Sequence, residues 1–260
     1  MSPALAAFFT PTQQRSDFSL FHPGYKFAGA RTLSGLLRPA VALCVALAVG
    51  TAASAQKPVK TPSTYGDAMR WYQKAAEAGS PQAQFLLGMK YDNGVGADPD
   101  PGRAVDWFRR AAEGGHALAQ YRLASALNEG RGVERNVAGA ASWYRRAAEN
   151  GIPEAAFNLA YILDKGLAGA ADAAGAAKWY LMAAEAGLGQ AQFNLAVLHA
   201  EGRGVARDPV EAWIWFSCAV AAGLPNAERY LRRVDKKIDE AQRAAARTAV
   251  ERRCGPGNEG

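Results

Sequence analysis

The residues that most often perform catalysis or bind metals are sparse in this chain. Its 260 residues contain three histidines and three cysteines. His116 follows Gly115 in a turn, where we expect it to be solvated, and His199 lies in an apolar stretch, where we expect it to be packed. No cysteine or carboxylate stands near either histidine at the spacing of a metal site, and neither a catalytic triad nor an S-x-x-K string can be singled out. The sequence therefore predicts no catalytic residue, no metal and no cofactor.

The N-terminal part of the chain has the pattern of an export signal. Residues 39–53 carry no charge, Arg38 precedes them, and an A-x-A sequence ends at Ala55. A basic flank, a short apolar run and small residues before a cleavage point are typical of a secretory signal peptide. We therefore expect a signal peptide over 31–55, cleaved between Ala55 and Gln56. A retained membrane anchor is the alternative, although the run is shorter than the roughly 20 residues of a spanning helix.

The net charge of +6 and the pI near 9.3 suggest an anionic partner. Cleavage after Ala55 would remove four basic residues and one acidic residue, which leaves +3. Most of the remaining excess lies in 229–253, with nine basic and four acidic residues, so nucleic acid is not the expected partner. An alternative function is an envelope structural protein whose basic C-terminal helix contacts an anionic polymer or surface. The four residues for that contact are Arg243, Arg247, Arg252 and Arg253.

A period of 36 residues organises most of the chain, and repeats outrank other signals when a fold is inferred. Tryptophan recurs at this spacing without a slip, at Trp71, Trp107, Trp143, Trp179 and Trp215. Alanine, leucine and glycine series follow the same period from Ala83, Leu87 and Gly94. Each period predicts a first helix, helix A, near 81–92 and a second helix, helix B, near 101–114. Capping side chains precede each helix B, at Thr64, Asp100, Asn136, Asp172 and Asp208.

These strings resemble Sel1-like repeats, which are related to tetratricopeptide repeats. The matching pattern is A-x-x-x-L-[GA]-x-x-Y-x-x-G-x-G-V followed by D-x-x-x-A-x-x-W-[YF]-x-x-A-A-x-x-G. The third copy departs from it, because Gly166-Leu167-Ala168-Gly169 replaces G-x-G-V. The resemblance implies an all-α fold: a right-handed α-solenoid with a starter helix, four A–B pairs, a terminal helix A and a capping helix. The expected divisions are an upstream extension at 1–30 that is either mis-called or disordered, the signal peptide at 31–55, a linker at 56–63, the solenoid at 64–233, the capping helix at 234–254 and a disordered tail at 255–260.

Two cysteines, Cys218 and Cys254, remain after the expected cleavage. Two cysteines in an exported protein favour one disulfide, which would pin the terminal helix to the last repeat. Two free thiols, one of them buried, are the alternative.

One face of helix A carries an aromatic residue in four copies, nearly opposite the alanine and leucine series at 100° per residue. We call these four residues the aromatic ladder: Phe85, Tyr121, Phe157 and Phe193. Neighbouring positions of the same face hold Met89, Ser125, Tyr161 and Val197, and then Asp92, Asn128 and Asp164. By similarity to tetratricopeptide domains, this face lines a concave groove that binds a peptide or a helix. The alternative is that the rings only pack between adjacent A helices.

The sequence as a whole predicts a protein–protein interaction scaffold or regulator in a bacterial periplasm, without enzymatic activity. A rival from another class is a hydrolase that acts on cell-wall or β-lactam substrates.

Overall fold

A computed structural model describes residues 65–96 and 98–254, all within one compact unit that spans Pro58–Gly260. The upstream extension, the signal peptide, the linker, the Thr64 cap and the tail lie outside the described residues. The described part contains eleven α-helices and no strand. They are α1 (Tyr65–Glu77), α2 (Pro81–Asn93), α3 (Pro101–Glu113), α4 (Ala117–Glu129), α5 (Val137–Glu149), α6 (Pro153–Lys165), α7 (Ala173–Glu185), α8 (Gly189–Glu201), α9 (Pro209–Ala221), α10 (Ala227–Asp235) and α11 (Glu240–Cys254).

The all-α repeat fold expected from the sequence is confirmed. Helix α1 is the starter helix B, and four A–B pairs follow, from α2–α3 to α8–α9. Each helix A packs on the helix B after it, and each helix B packs on the next helix A. A single pair cannot bury its apolar face, so every repeat depends on its neighbours.

Short polar side chains begin each of the four B helices that follow an A helix. Asp100 accepts a hydrogen bond from the Arg103 backbone N–H at 2.9 Å, and Asn136, Asp172 and Asp208 do the same for their own helices. These bonds satisfy backbone donors that have no partner inside the helix. The A helices end at a glycine in the left-handed conformation, as at Gly94 with φ 66°. Residues other than glycine adopt this conformation only with strain.

The core consists of small and branched side chains packed along the whole repeat. The residues of the leucine and alanine series are buried. Alanine has a small side chain, so neighbouring helices approach each other closely at these positions. Burial of the repeated tryptophan increases along the chain: Trp179 is 8% exposed and Trp215 is 2% exposed. Trp71, the first of the series, is 46% exposed. Trp107 packs over α1 and α2, so Trp71 would need a preceding repeat to cover it, and none is described.

The C-terminal end of the solenoid is closed by α11, which packs on α9. A reciprocal pair of hydrogen bonds between Asp239 and Gln242 starts α11 at Glu240, so a turn separates it from α10. Cys218 of α9 and Cys254 at the end of α11 form a disulfide, with Cα atoms 5.5 Å apart. Within 65–96 and 98–254, no helix combines the length and the apolar character needed to cross a bilayer.

Candidate partner-binding groove

The aromatic ladder lies on the A helices, and each of its rings rests on a ring of the following helix B. The centroid distances are 5.9 Å for Phe85–Phe108, 5.8 Å for Tyr121–Tyr144, 5.9 Å for Phe157–Tyr180 and 5.4 Å for Phe193–Phe216. The four partner rings are buried, whereas the four ladder rings are half-buried. The ladder is therefore packed on one side and accessible on the other. It does not pack only between A helices, because each ladder ring also contacts a ring of the following helix B.

The first ladder ring, Phe85, has His116 stacked against it from the start of the next helix A. The His116 ring stacks on Phe85 at 4.5 Å, so the expectation of a solvated histidine was wrong. Its Nδ1 accepts the backbone N–H of Ala119 and caps α4, and its Nε2 lies 2.8 Å from Oε1 of Gln82. This arrangement requires a neutral ring with the proton on Nε2, donated to Gln82. Burial lowers the pKa of His116 below its ordinary value of 6.5, and a hydrogen bond with its own backbone offsets this only partly.

The C-terminal end of the ladder is closed by Tyr230 of α10. Its ring meets Phe193 edge-on at 4.9 Å and stacks on Phe216 at 5.7 Å. Edge-to-face contacts at these distances add to the stabilisation that burial provides. The last ladder ring, Phe193, thus contacts rings of both α9 and α10, and α10 is the terminal helix A of the solenoid.

The middle of the ladder is polar. The hydroxyl oxygens of Ser125 and Tyr144 are 3.1 Å apart. The side-chain amide of Asn158, on the next helix A, also hydrogen-bonds to Tyr144 and Tyr121. Burial raises the pKa of Tyr144, and the hydrogen bonds from Ser125 and Asn158 offset only part of that rise. The pKa of Tyr121 is also raised, by burial and then by the Glu154 carboxylate. These phenols stay neutral and can donate or accept hydrogen bonds at physiological pH.

The next copy of this polar cluster is incomplete. Tyr180 has the same place as Tyr144, but Tyr161 stands where the earlier copy has serine. The Tyr180 hydroxyl is buried without a hydrogen bond of acceptable geometry among the described residues. Burial raises the pKa of Tyr180, the Asp164 carboxylate raises it further, and the nearby Asn194 amide offsets only part of this.

The acidic positions of the expected groove already have partners inside the solenoid. Asp92 forms a bidentate ion pair with Arg131 of the next A–B loop, and Asp164 pairs with Arg203 at 2.8 Å. Only 6% of each carboxylate side chain is exposed. We call these two ion pairs the staples, because each links one repeat to the next. Asn128, at the same position, faces a loop that has Leu167 in place of arginine and forms no staple.

Four further residues of the expected groove lie on the A helices one turn after the aromatic ladder. Met89, Ser125, Tyr161 and Val197 are all half-buried beside the aromatic ladder. Groups of three or more His, Cys, Asp or Glu that could hold a metal ion are not found in the described residues. What the groove offers is apolar contact at its two ends and neutral hydrogen-bonding groups in the middle, which suits binding more than bond cleavage.

Five adjoining segments of the chain match the model of the Sel1 repeat: residues 65–80, 81–116, 117–152, 153–188 and 189–224. Together they span well over half of the chain. The chain belongs to the Sel1 repeat family. Sel1 repeat proteins generally mediate protein–protein interaction and form a family of non-catalytic scaffolds.

Solved structures of other Sel1 repeat proteins resemble this one. A Sel1 repeat protein from Oxalobacter formigenes is 35% identical, with a TM-score of 0.59, and the match covers 71% of this chain and 78% of that chain. The protective antigen c5321 of uropathogenic Escherichia coli is 28% identical, with a TM-score of 0.46, over 74% of this chain and 50% of that chain. This chain therefore spans about half the length of c5321. Comparison with curated proteins gave no match.

Three buried glutamines of the Sel1 repeats were missed in the sequence analysis. Gln84, Gln120 and Gln192 each donate from Nε2 to a carbonyl in the last turn of the preceding helix B, at 3.1 to 3.3 Å. They satisfy backbone acceptors that the helix end leaves open. The three glutamines follow the 36-residue period, and the third copy has alanine at position 156 instead. The repeat pattern could therefore have identified them. Their role is structural.

Two of the four basic residues expected to bind an anionic polymer form ion pairs within the fold. Arg243 pairs with Asp235 at 2.8 Å, and Arg253 pairs with Glu211 at 2.7 Å while its guanidinium lies over the Trp215 ring. Arg247 and Arg252 are exposed. The hydrogen bond from Arg243 lowers the pKa of Asp235, so the pair stays charged over a wide pH range.

Proposed function

We propose that this Sel1 repeat protein is an exported scaffold or regulator that binds a peptide or a helix of a partner across the aromatic ladder. The observation that carries the proposal is the ladder itself: four rings at the same repeat position, each supported by a buried ring beneath it and each accessible on its outer side. Rigid, half-exposed aromatic side chains bury much apolar area at a small entropic cost on binding.

The charge distribution of the groove narrows the kind of partner. The staples neutralise Asp92 and Asp164, so these carboxylates do not present a free negative charge. The phenols and amides in the middle are neutral at physiological pH. We therefore propose a segment with apolar side chains and little charge, whose main-chain groups meet the polar middle of the groove.

Substitution of two ladder residues tests this function. Phe157→Ala with Phe193→Ala should remove the partner from co-purified complexes, because both accessible rings are lost. Each change should cost about 1–2 kcal/mol of folding free energy, less than a fully buried phenylalanine, since the rings are half-buried. Trp143→Ala is the matched control, because Trp143 is also a half-buried aromatic residue but lies on helix B under Arg146. Equal loss of partner in both variants, at equal stability, would contradict the proposal.

Export to the periplasm is the second part of the proposal, and the N-terminal pattern of residues 31–55 supports it. The mature chain should begin at Gln56 in a periplasmic extract, as read by mass spectrometry of the N-terminal peptide. Recovery of peptides from 31–55 in that protein would contradict the expected cleavage. The hydrolase alternative has a direct assay, which is nitrocefin or peptidoglycan turnover by the purified protein, and we expect no turnover.

A further inference from the structure

The A–B loops of the second and fourth repeats fit closely against the preceding repeat, and one glycine in each makes this possible. A Cβ atom on Gly132 would lie 2.3 Å from the Pro101 carbonyl oxygen, and one on Gly204 would lie 2.2 Å from the Ala173 carbonyl carbon. Both glycines also have a left-handed φ, near 70°. The loop backbone therefore touches the first turn of the preceding helix B, and the staples from Arg131 and Arg203 hold it there.

The A–B loop of the third repeat has lost all of these features together. Leu167 replaces the arginine of the staple, Ala168 replaces the close-packed glycine, and Gly169 replaces the valine that packs into the core in the other two loops. Asn128 replaces the aspartate that the arginine would meet. These four changes concern one place in the solenoid, the junction between the second and third repeats. A loop with a Cβ at position 168 cannot approach the start of α5 as closely as its two counterparts approach their helices.

An open cleft of about 750 Å³ lies at this junction. We call it the seam cleft, and the residues that line it include Leu167 and Ala168 of the third repeat's loop and Val137 and Ala138 at the start of α5. The apolar residues Leu127 and Val133 also line it. Leu167 is 47% exposed at its edge, which leaves apolar surface in contact with water.

The charges around the seam cleft favour an anion. Arg109 lines it and makes no hydrogen bond or ion pair with the described residues, and the exposed Arg135 lines it as well. Arg135 donates only its Nε, to the Asn128 carbonyl at 2.9 Å. The N-terminus of α5 adds partial positive charge to the lining of the cleft. Glu134 is the single acidic residue among those that line the cleft.

We propose that the seam cleft is a second docking site, which takes an acidic peptide segment of a protein partner by an apolar anchor side chain. The anchor lies between Leu167 and Val137, and the acidic groups of the segment pair with Arg109 and Arg135. The aromatic ladder contributes no residue to this site, so it can operate independently of the concave groove.

The repeat itself supplies the variant that tests this site. Asn128→Asp, Leu167→Arg, Ala168→Gly and Gly169→Val together restore the sequence that already folds at the two neighbouring junctions. The added aspartate and arginine cancel in charge, so non-specific electrostatic attraction stays the same. The restored variant should fold, melt at a higher temperature because it gains a staple, and close the seam cleft.

The probes are two fluorescein-labelled peptides, one of alternating leucine and glutamate and one of alternating leucine and lysine. We expect the acidic peptide to bind the unchanged protein at least tenfold more tightly than the basic peptide, and at least tenfold more tightly than it binds the restored variant. Arg109→Gln should weaken the acidic peptide several-fold. Val95→Arg is the loop control, because Val95 has the same repeat position and similar exposure as Leu167 but does not line the seam cleft, and this substitution should change nothing.

Each of the following outcomes would overturn the proposal. They are the absence of acidic-peptide binding to the unchanged protein at about 1 mM, equal binding by the restored variant, equal binding of the basic peptide, and a concentration-dependent dimer that only the restored variant loses. The last would assign the cleft to a second copy of the chain. Binding of the acidic peptide by the Phe157→Ala, Phe193→Ala variant should be unchanged, and its loss there would also count against a separate site. If no partner binds the aromatic ladder, the expected peptide binding at the seam cleft does not change, so the two proposals fail separately.

Discussion

At the residue scale, the same repeat position can serve different purposes in successive copies. Asp92 and Asp164 join repeats, whereas Asn128 at the same position does not. Helical periodicity placed all three on the groove face, but it could not reveal their partners. Arg131 and Arg203 lie 39 residues further along the chain, and only the stacking of repeats brings them near.

The staples should contribute measurably to stability. Arg131→Ala leaves the Asp92 carboxylate largely buried without its cation, and we expect a loss of about 1–3 kcal/mol. Arg103→Ala is the control, because both side chains of the Arg103–Asp100 ion pair are exposed. This pair should contribute less than about 1 kcal/mol to the free energy of unfolding. Urea unfolding of the two variants gives both values. An equal, small loss in both would show that the staple does not hold the repeats together.

His116 should make stability depend on pH. Its pKa is lowered in the folded state, so the unfolded chain binds the proton more readily. Its contribution is therefore complete above pH 6.5 and decreases as the pH falls through the lower, folded pKa. His116→Ser keeps an acceptor for the cap, as Ser80 does for α2, but cannot titrate in this range. Urea unfolding at pH 7.5 and 5.5 should show a larger loss for the unchanged protein than for this variant.

At the element scale, the helices and their caps could be predicted because each depends on residues within a few positions. Asp100 and Asn136 cap their helices as predicted, and left-handed glycines end the A helices. Contacts across repeats could not be predicted in this way. The packing of Phe85 on Phe108 and His116, and the exposure of Trp71, follow from which helix lies beside them.

The close approach of loops to helices gives a prediction for glycine. Gly132→Ala should destabilise the fold by more than about 2 kcal/mol, because it combines a left-handed φ with a collision against Pro101. Gly96→Ala shares the left-handed φ but has open space around it, so only the conformational cost of about 1 kcal/mol applies. Thermal melts of both variants provide the comparison. Similar melting temperatures would contradict the close contact between the Gly132 loop and Pro101.

The disulfide belongs to the element scale as well, since it fastens α11 to α9. Its loop of 36 residues corresponds to about 3–4 kcal/mol in the chain-entropy picture. Cys218→Ala with Cys254→Ala should lower the melting temperature accordingly and match the protein under reducing conditions. Alkylation of the non-reduced protein followed by mass spectrometry should find neither thiol modified. Modification of both would mean that the bond does not form in the cell.

At the scale of the whole molecule, the two ends of the solenoid differ. The C-terminal end is covered by α10 and α11, whereas α1 packs chiefly on α2 and leaves Trp71 exposed. In a linear array each repeat is stabilised by its neighbours, so the end with fewer neighbours opens first. Amide hydrogen exchange should be fastest in α1 and slowest in α8 and α9. Uniform exchange along the solenoid would contradict this gradient.

Site-directed crosslinking in intact cells tests the central claim most directly, because it reports which face of the solenoid a partner touches. A photo-reactive phenylalanine analogue at position 125 or 161 lies in the groove, and one at position 145 or 178 lies on the exposed side of a helix B. We predict that a crosslinked partner forms from Ser125 and Tyr161 and not from Arg145 or Lys178. Crosslinks from the helix B positions alone, or from neither set, would contradict a partner in the concave groove.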